Sequence, residues 1–299
     1  MTTPAEERRN LLLLVTVGLI WGSAYPVIRF GLEAGATPIA FAATRYALSA
    51  VAIATLAAVS GVPRPPWRAL RLSAVLGIPI VGVYGLLLYV GEQSTSGGLA
   101  AILIAVAPLL TVLFALPVLP GERLRPVALL GVVVGFLGVF VLVFPPAGIT
   151  LATSIWGPLA VIGAAVSFSL GTVFLRATRP EGETLWGVSV QMAVATAFLA
   201  VLLPVLEPHS AVPLSSSVLE SLAYLVLFPS LAGYALYFSL HHRVGPGRAN
   251  VVAYVNPVAA LIVGGVVFAE PFSWWELIGF ALVVVGLALV MGLIGRRRA

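Results

Sequence analysis

The stretch 107–143 is written almost a second time at 256–291, and few folds are compatible with that repeat. The first copy begins Ala-Pro-Leu-Leu and the second Asn-Pro-Val-Ala. Pro108 matches Pro257, Glu122 matches Glu270, Gly131 matches Gly279 and Gly138 matches Gly286. Each copy is two apolar runs around a tight turn that bears a glutamate. The match extends upstream: Trp21–Arg29 aligns with Phe168–Arg176, and Gly85–Tyr89 with Gly233–Tyr237, at an offset that stays between 147 and 149 residues. Self-similarity at a fixed period sets the architecture before any local pattern does. The chain reads as two halves, 1–148 and 149–299.

Each half is too apolar for water. Hydrophobic residues make up 60% of the chain and charged residues 9%, against roughly 25% charged in a soluble domain. Runs of about 20 apolar residues match one bilayer crossing. Ten are legible, near 10–30, 38–60, 69–90, 95–117, 125–143, 155–176, 184–205, 216–240, 246–269 and 273–294. The expected fold is therefore an all-α integral membrane protein of ten transmembrane helices. The first run continues through Ile28 with no clear small-residue cleavage pattern, so it is expected to stay on the chain.

All sixteen basic residues are arginine, and fourteen of them fall in the termini and alternate loops on one side. By the positive-inside rule that side is cytoplasmic, and both termini with it. Only Arg29 and Arg45 lie toward the other face. The pI near 10.0 follows from this asymmetry and does not point to nucleic acid. Five crossings per half is an odd number, so the second half enters from the opposite side and the repeats are inverted. In many secondary transporters such repeats rock against each other around a midplane site.

Trp67, Trp156, Trp186, Trp274 and Trp275 sit at span ends, where tryptophan marks the membrane interface. Trp21 lies about eleven residues into its span, roughly 16 Å at 1.5 Å per residue, near the bilayer middle. Trp21, Tyr25 and Arg29 share one helix face. The eighth span carries Ser230, Tyr234, Tyr237 and His241 on one side. Further polar tips come from Tyr84, Tyr89 and Gln93, from Ser167, Ser169 and Thr172, and from Asn250, Tyr254 and Asn256. Two readings stay open. Each group is interhelical glue, or together they border one chamber, with Trp21, Tyr25, Tyr84, Tyr234, Tyr237, Tyr254 and Asn256 as the substrate-binding residues. Buried hydroxyls need partners, which lipid cannot supply.

Pro26, Pro79, Pro108, Pro229 and Pro257 fall inside spans, where proline kinks a helix. Pro108 and Pro257 are equivalent across the repeat and are candidate hinges. Gly131 and Gly135 form a close-packing motif expected to act within its own half, with dimerisation as the alternative. Glu122 and Glu270 are expected to cap turns or helix N-termini. There is no aspartate, and the glutamates fall toward span ends, so no carboxylate is expected deep in the membrane, and flux is expected to follow the solute gradient or to couple only weakly to protons. Arg45, some seven residues into its span, either draws an anionic group such as a carboxylate or pairs locally.

Enzyme chemistry finds little footing. His241 and His242 lack metal spacing, no Gly-rich loop joins a strand to a helix, and the intramembrane serines have no histidine base. There are no cysteines. No cofactor or metal is implied.

Trp21-Gly-Ser-Ala-Tyr-Pro-Val-Ile-Arg29, Pro38, Arg45-Tyr46, Pro108, Gly121-Glu122 and Gly131, with Pro257, Glu270 and Gly279 in the second copy, resemble the EamA domain of the drug/metabolite transporter superfamily. The resemblance covers essentially the whole chain and is greatest to the YddG-type amino-acid exporters of bacteria. It implies ten helices in two inverted five-helix units and outward movement of aromatic and other neutral amino acids across a bacterial inner membrane. Small multidrug relatives carry an acidic residue in their first helix, and this chain has none there. A chamber of Trp, Tyr, Ser and Asn without fixed charge suits a neutral or zwitterionic solute, and a single chain is expected to suffice. The alternatives are an exporter of a different small metabolite or drug, and a transport-inactive membrane scaffold or sensor.

Overall fold

The computed structural model describes residues 4–119, 126–146, 152–178, 184–245, 249, 251–271 and 273–290. Glu122, Glu181, Glu183, Asn250 and seven of the arginines (123, 125, 179, 248 and 296–298) lie outside these. Among the described residues the chain is helical, with one isolated bridge between Thr95 and Ala152. The helices are α1 (Pro4–Gly22), α2 (Ala24–Glu33), α3 (Pro38–Val59), α4 (Trp67–Gly77), α5 (Tyr84–Glu92), α6 (Gly97–Ile104), α7 (Ala107–Val118) and α8 (Pro126–Val143). In the second half come α9 (Trp156–Thr178), α10 (Leu185–Leu206), α11 (Ser216–Leu225), α12 (Gly233–Val244), α13 (Val252–Val267) and α14 (Trp274–Val290). Joined end to end where they are continuous, they give, among the described residues, eight helices long and apolar enough to cross a membrane, with α13 and α14 as shorter apolar helices.

The breaks have local causes. Two π-helical turns, Ile78–Val83 and Val226–Ala232, join α4 to α5 and α11 to α12, 148 residues apart and hence at the same place in both halves. Each contains a proline, Pro79 in the first turn of one and Pro229 inside the other. Pro229 has no N–H to offer the carbonyl four residues back, and Leu225 accepts from Ser230 Oγ at 3.0 Å instead. Pro79 likewise deprives Val75, which accepts from the Ile78 N–H. The widened turns then engage the other half: Ser167 Oγ donates to the Pro79 carbonyl at 2.8 Å, and Trp21 Nε1 donates to the Pro229 carbonyl at 2.9 Å.

Packing crosses the midpoint of the chain at every turn. Helix α8 lies along α14, α3 along α10, α5 along α9 and α1 along α13. Helix α8 is apolar all round, as a helix between protein and lipid should be. Its Gly131, Gly135, Gly138 and Leu142 are buried, while Leu130, Val133, Leu137 and Phe140 face outward. The Gly131–Gly135 motif, expected to act within its half, serves both: Gly135 packs against Leu109 of α7, while Gly131 abuts Gly286 of the other half and, one turn on, a Cβ on Gly138 would lie 2.7 Å from the Gly279 carbonyl oxygen. Lost side chains let the two backbones touch, and the partner that fills the groove is set by tertiary packing.

Candidate solute site

Two aromatic groups form inside the bundle. In the first, the Trp21 ring of α1 lies 5.0 Å from Tyr237 and 5.6 Å from Tyr234 of α12, and Tyr237 continues to His241 at 6.2 Å. Gly233 makes room for the indole: a Cβ there would sit 2.5 Å from Trp21 Nε1. In the second, Tyr25 of α2 and Tyr84 of α5 bring their hydroxyls to 3.4 Å, and the Tyr84 ring is 5.6 Å from Phe168 of α9. Gly85, the repeat equivalent of Gly233, makes room for the side chain of Tyr46, which stands near Tyr234 of the first group.

Of the seven residues named from the sequence, Trp21 touches both Tyr234 and Tyr237, and Tyr25 touches Tyr84. Asn256 is placed differently. With its amide nitrogen turned toward α1 it donates to the Gly18 carbonyl at 3.2 Å and to Val252 at 3.0 Å, which ties α13 to α1. Tyr254 is half-buried against the main core. Pro108 is the second residue of α7, just beyond a break at Ala105 and Val106, whereas Pro257 is buried within α13.

Arg45 is the fixed charge that the sequence reading left out of the chamber. Its Nη1 donates to the Tyr89 hydroxyl at 3.0 Å, its guanidinium lies 5.7 Å from the Tyr46 ring centre, and its buried Nε has no acceptor among the described residues. Tyr89 is fully buried between Phe41 and Tyr46. Tyr46 was missed because it is the one tyrosine of α3, with no stripe on its own helix to mark it. The repeat held the signal, since Gly85 and Gly233 are equivalent and each clears space for one large ring.

The helix end that carries the glutamates is fastened across the two halves. Glu207 of α10 accepts from Ile39 N at 2.7 Å and Ala40 N at 3.1 Å, at the start of α3. Glu270 accepts from Gly97 N at 3.1 Å and Gly98 N at 3.3 Å, at the start of α6. A carboxylate complements the unpaired amides of a helix N-terminus, as expected for Glu270. Burial holds the Glu270 carboxyl above the usual carboxylate range, while the two glycine amides pull it down. Thr37 N donates to Ala211 O at 2.9 Å, and Thr153 N to Ser94 O at 2.9 Å. Arg29 pairs with Glu33 at 2.6 Å and also donates to the main-chain carbonyl of Glu92. A cavity of about 180 Å³ beside this pair is lined by Arg29, Leu32, Glu33 and Gln93. Glu92 departs from expectation: it sits at a span end, yet its side chain is 0% exposed. Helices from both halves close over that end.

Rings, hydroxyls and one guanidinium thus stand together inside the bundle, and known proteins similar to this chain are named as transporters. An uncharacterized inner membrane transporter, YedA, of Escherichia coli (strain K12) is 29% identical over 279 residues, 93% of this chain and 89% of that protein. A protein of Streptantibioticus cattleyicolor named "Probable terminal-alkyne amino-acid exporter" is 32% identical over 289 residues, 95% of this chain and 94% of that one. A solved crystal structure superposes with a TM-score of 0.66 at 25% identity, covering 98% of this chain and 99% of the other. The model of the EamA-like transporter family matches twice, at residues 8–144 and 155–292. The chain is a membrane transporter and belongs to the EamA-like transporter family.

Proposed function

We propose that the chain is a secondary-type transporter that exports neutral amino acids, aromatic ones included, by alternating access through a central cavity. The cavity is bordered by Trp21, Tyr25, Tyr84, Tyr234, Tyr237 and Tyr254, with Asn256 at its edge holding α13 to α1. Its ten spans form two inverted five-helix repeats, 1–148 and 149–299, in a bacterial inner membrane with both termini cytoplasmic. The glycine contacts support the inversion: Gly131 meets Gly286 and Gly138 meets Gly279, so equivalent residues exchange partners, as a two-fold axis in the membrane plane requires.

The observation that carries the solute class is Arg45 among tyrosines of one half, beside the Trp21–Tyr234–Tyr237 cluster that joins both. A guanidinium with a spare Nε–H suits a carboxylate, and clustered rings supply apolar contact area at small entropic cost. An amino acid offers both ends at once. The relative named as an amino-acid exporter is consistent with this class. Pro108 and Pro257 flank breaks or bends where each half can flex.

Proteoliposomes loaded with radiolabelled phenylalanine, leucine or phenylalaninamide test the reading. Saturable efflux of the two amino acids is expected, with the amide, which lacks the carboxylate, moving at least about tenfold more slowly, as loss of one charge-assisted pair implies. Equal efflux of acid and amide, or flux of neither amino acid, overturns it.

A further inference from the structure

Glu92 ends α5 with both carboxyl oxygens buried and without a hydrogen-bond partner among the described residues. Its neighbours at this end are served: Glu207 and Glu270 each take two helix amides, and Glu276 accepts from Ser273 N at 3.3 Å. The groups facing Glu92 can be taken element by element. From α2 come Arg29, committed to Glu33 and to the Glu92 main chain, and the Tyr25 hydroxyl. From α3 come Arg45, held by Tyr89, and Tyr46. Helix α5 itself adds Tyr89, and the connection between α13 and α14 brings the like charge of Glu270. Helix α9 presents no titratable group there, only Gly157 and Val161 against Gly91.

A bare carboxylate walled from water and from donors is costly, by several kcal/mol, and a bound cation relieves it. A metal ion asks for several oxygen ligands, and among the described residues no three His, Cys, Asp or Glu side chains gather. The proton remains. Resting on the transporter reading above, we propose that Glu92 is a proton-binding site through which this protein exchanges one entering proton for each solute exported.

The geometry supplies the link to movement. Arg29 bridges α2 to the carbonyl of Glu92, so the charge of the Glu92 carboxyl acts on the latch itself. Ionised, the carboxylate competes with Glu33 for Arg29 and with Tyr89 for Arg45, and the seam loosens. Protonated, it leaves both guanidiniums where they are, and the end stays shut. A proton taken up while this end is open forms the O–H bond of the carboxyl. It is given up on the opposite side after closure, before the next solute is carried out. One proton moves in and one solute out, with no other bond made or broken.

The test uses the purified full chain in proteoliposomes, with the membrane potential clamped to zero by potassium and valinomycin. With the lumen one pH unit more acid than the bath, one-for-one exchange sustains about tenfold accumulation of radiolabelled phenylalanine. Wild type is expected to reach that value, Glu92→Gln to show none, and Glu92→Asp to recover it. Phenylalanine counterflow at equal pH should persist in Glu92→Gln, and a sodium gradient should drive nothing. Accumulation in Glu92→Gln equal to wild type, or accumulation driven by sodium, overturns the proposal. Infrared difference spectra between acid and alkaline buffer give a readout that needs no solute. One component of the carboxyl C=O band of the titrating buried acids is expected in wild type and missing in Glu92→Gln, the components of Glu270 and Glu276 staying in both. Identical spectra sink the Glu92 assignment, whereas absent phenylalanine counterflow in wild type with the band in place sinks only the choice of solute.

Discussion

Gly131 of α8 and Gly286 of α14 meet backbone to backbone, so that a Cβ on Gly286 would stand 2.5 Å from the Gly131 carbonyl oxygen and from the Gly135 nitrogen. The opposing atoms are main chain and cannot swing aside. Gly286→Val should separate the helices and cost about 1–3 kcal/mol, the usual penalty of overpacking, read as a lower melting temperature in detergent. Gly265→Val, where a Cβ meets nothing within 4 Å, should leave the melting temperature near that of wild type.

Truncating either ring of the Trp21–Tyr237 pair should slow phenylalanine efflux before it harms the fold. Each ring contact is worth about 0.5–1.5 kcal/mol beyond its area, so Trp21→Ala and Tyr237→Ala should each cut flux by roughly three- to tenfold with near-normal expression. Trp67, 71% exposed at the start of α4, is the control, and its loss should tell on insertion or stability first. Parental flux in both variants would remove these rings from the solute path.

Glu207 is the cap of α3, taking the Ile39 and Ala40 amides where the Thr37 side chain at the N-cap accepts none. Replacing it with alanine should cost about 0.5–2 kcal/mol, measured by thermal unfolding. Glu207→Gln should lie between, since one amide oxygen can still accept while the charge is gone.

The pH dependence of stability should carry the mark of Glu270. Burial raises its folded value above that of the unfolded chain, the glycine amides notwithstanding. The folded state then holds the proton more tightly. Its contribution is full below the unfolded value, about 4.3, and is lost as pH rises through the raised folded value. Wild type should therefore lose melting temperature toward neutral pH relative to Glu270→Gln. A constant difference between the two across that range would refute the assignment.

Topology can be read directly. Tags after Thr2 and at Ala299 should both be protected in intact spheroplasts, because the arginines of the termini and of alternate loops lie on one side, and a reporter at Ser216 should be accessible. Termini on opposite faces would mean an odd number of crossings and end the inverted-repeat reading.

The membrane class was legible in the residues alone, because lipid admits helices of about 20 apolar residues and little else. The internal repeat was equally plain, since glycine and proline mark backbone requirements that survive when side chains drift. Pro79 and Pro229 already announced broken hydrogen-bond ladders, and Glu270 at a helix turn announced a cap. The ring cluster of Trp21 with Tyr237 could be suspected from periodicity on two helices. What the helices meet was not written locally. Gly131 reads the same whether its groove is filled by α7 or by α14, and Asn256 the same whether it faces a chamber or the Gly18 carbonyl. Glu92 stands at a span end by count, where a carboxylate normally finds water. Its burial follows from α2, α3 and the α13–α14 connection closing over it from both halves, and Arg45 was drawn toward the tyrosines by the same packing. Hydropathy is a property of one stretch, whereas solvation of a charge depends on every element that surrounds it, and that is decided by the tertiary fold.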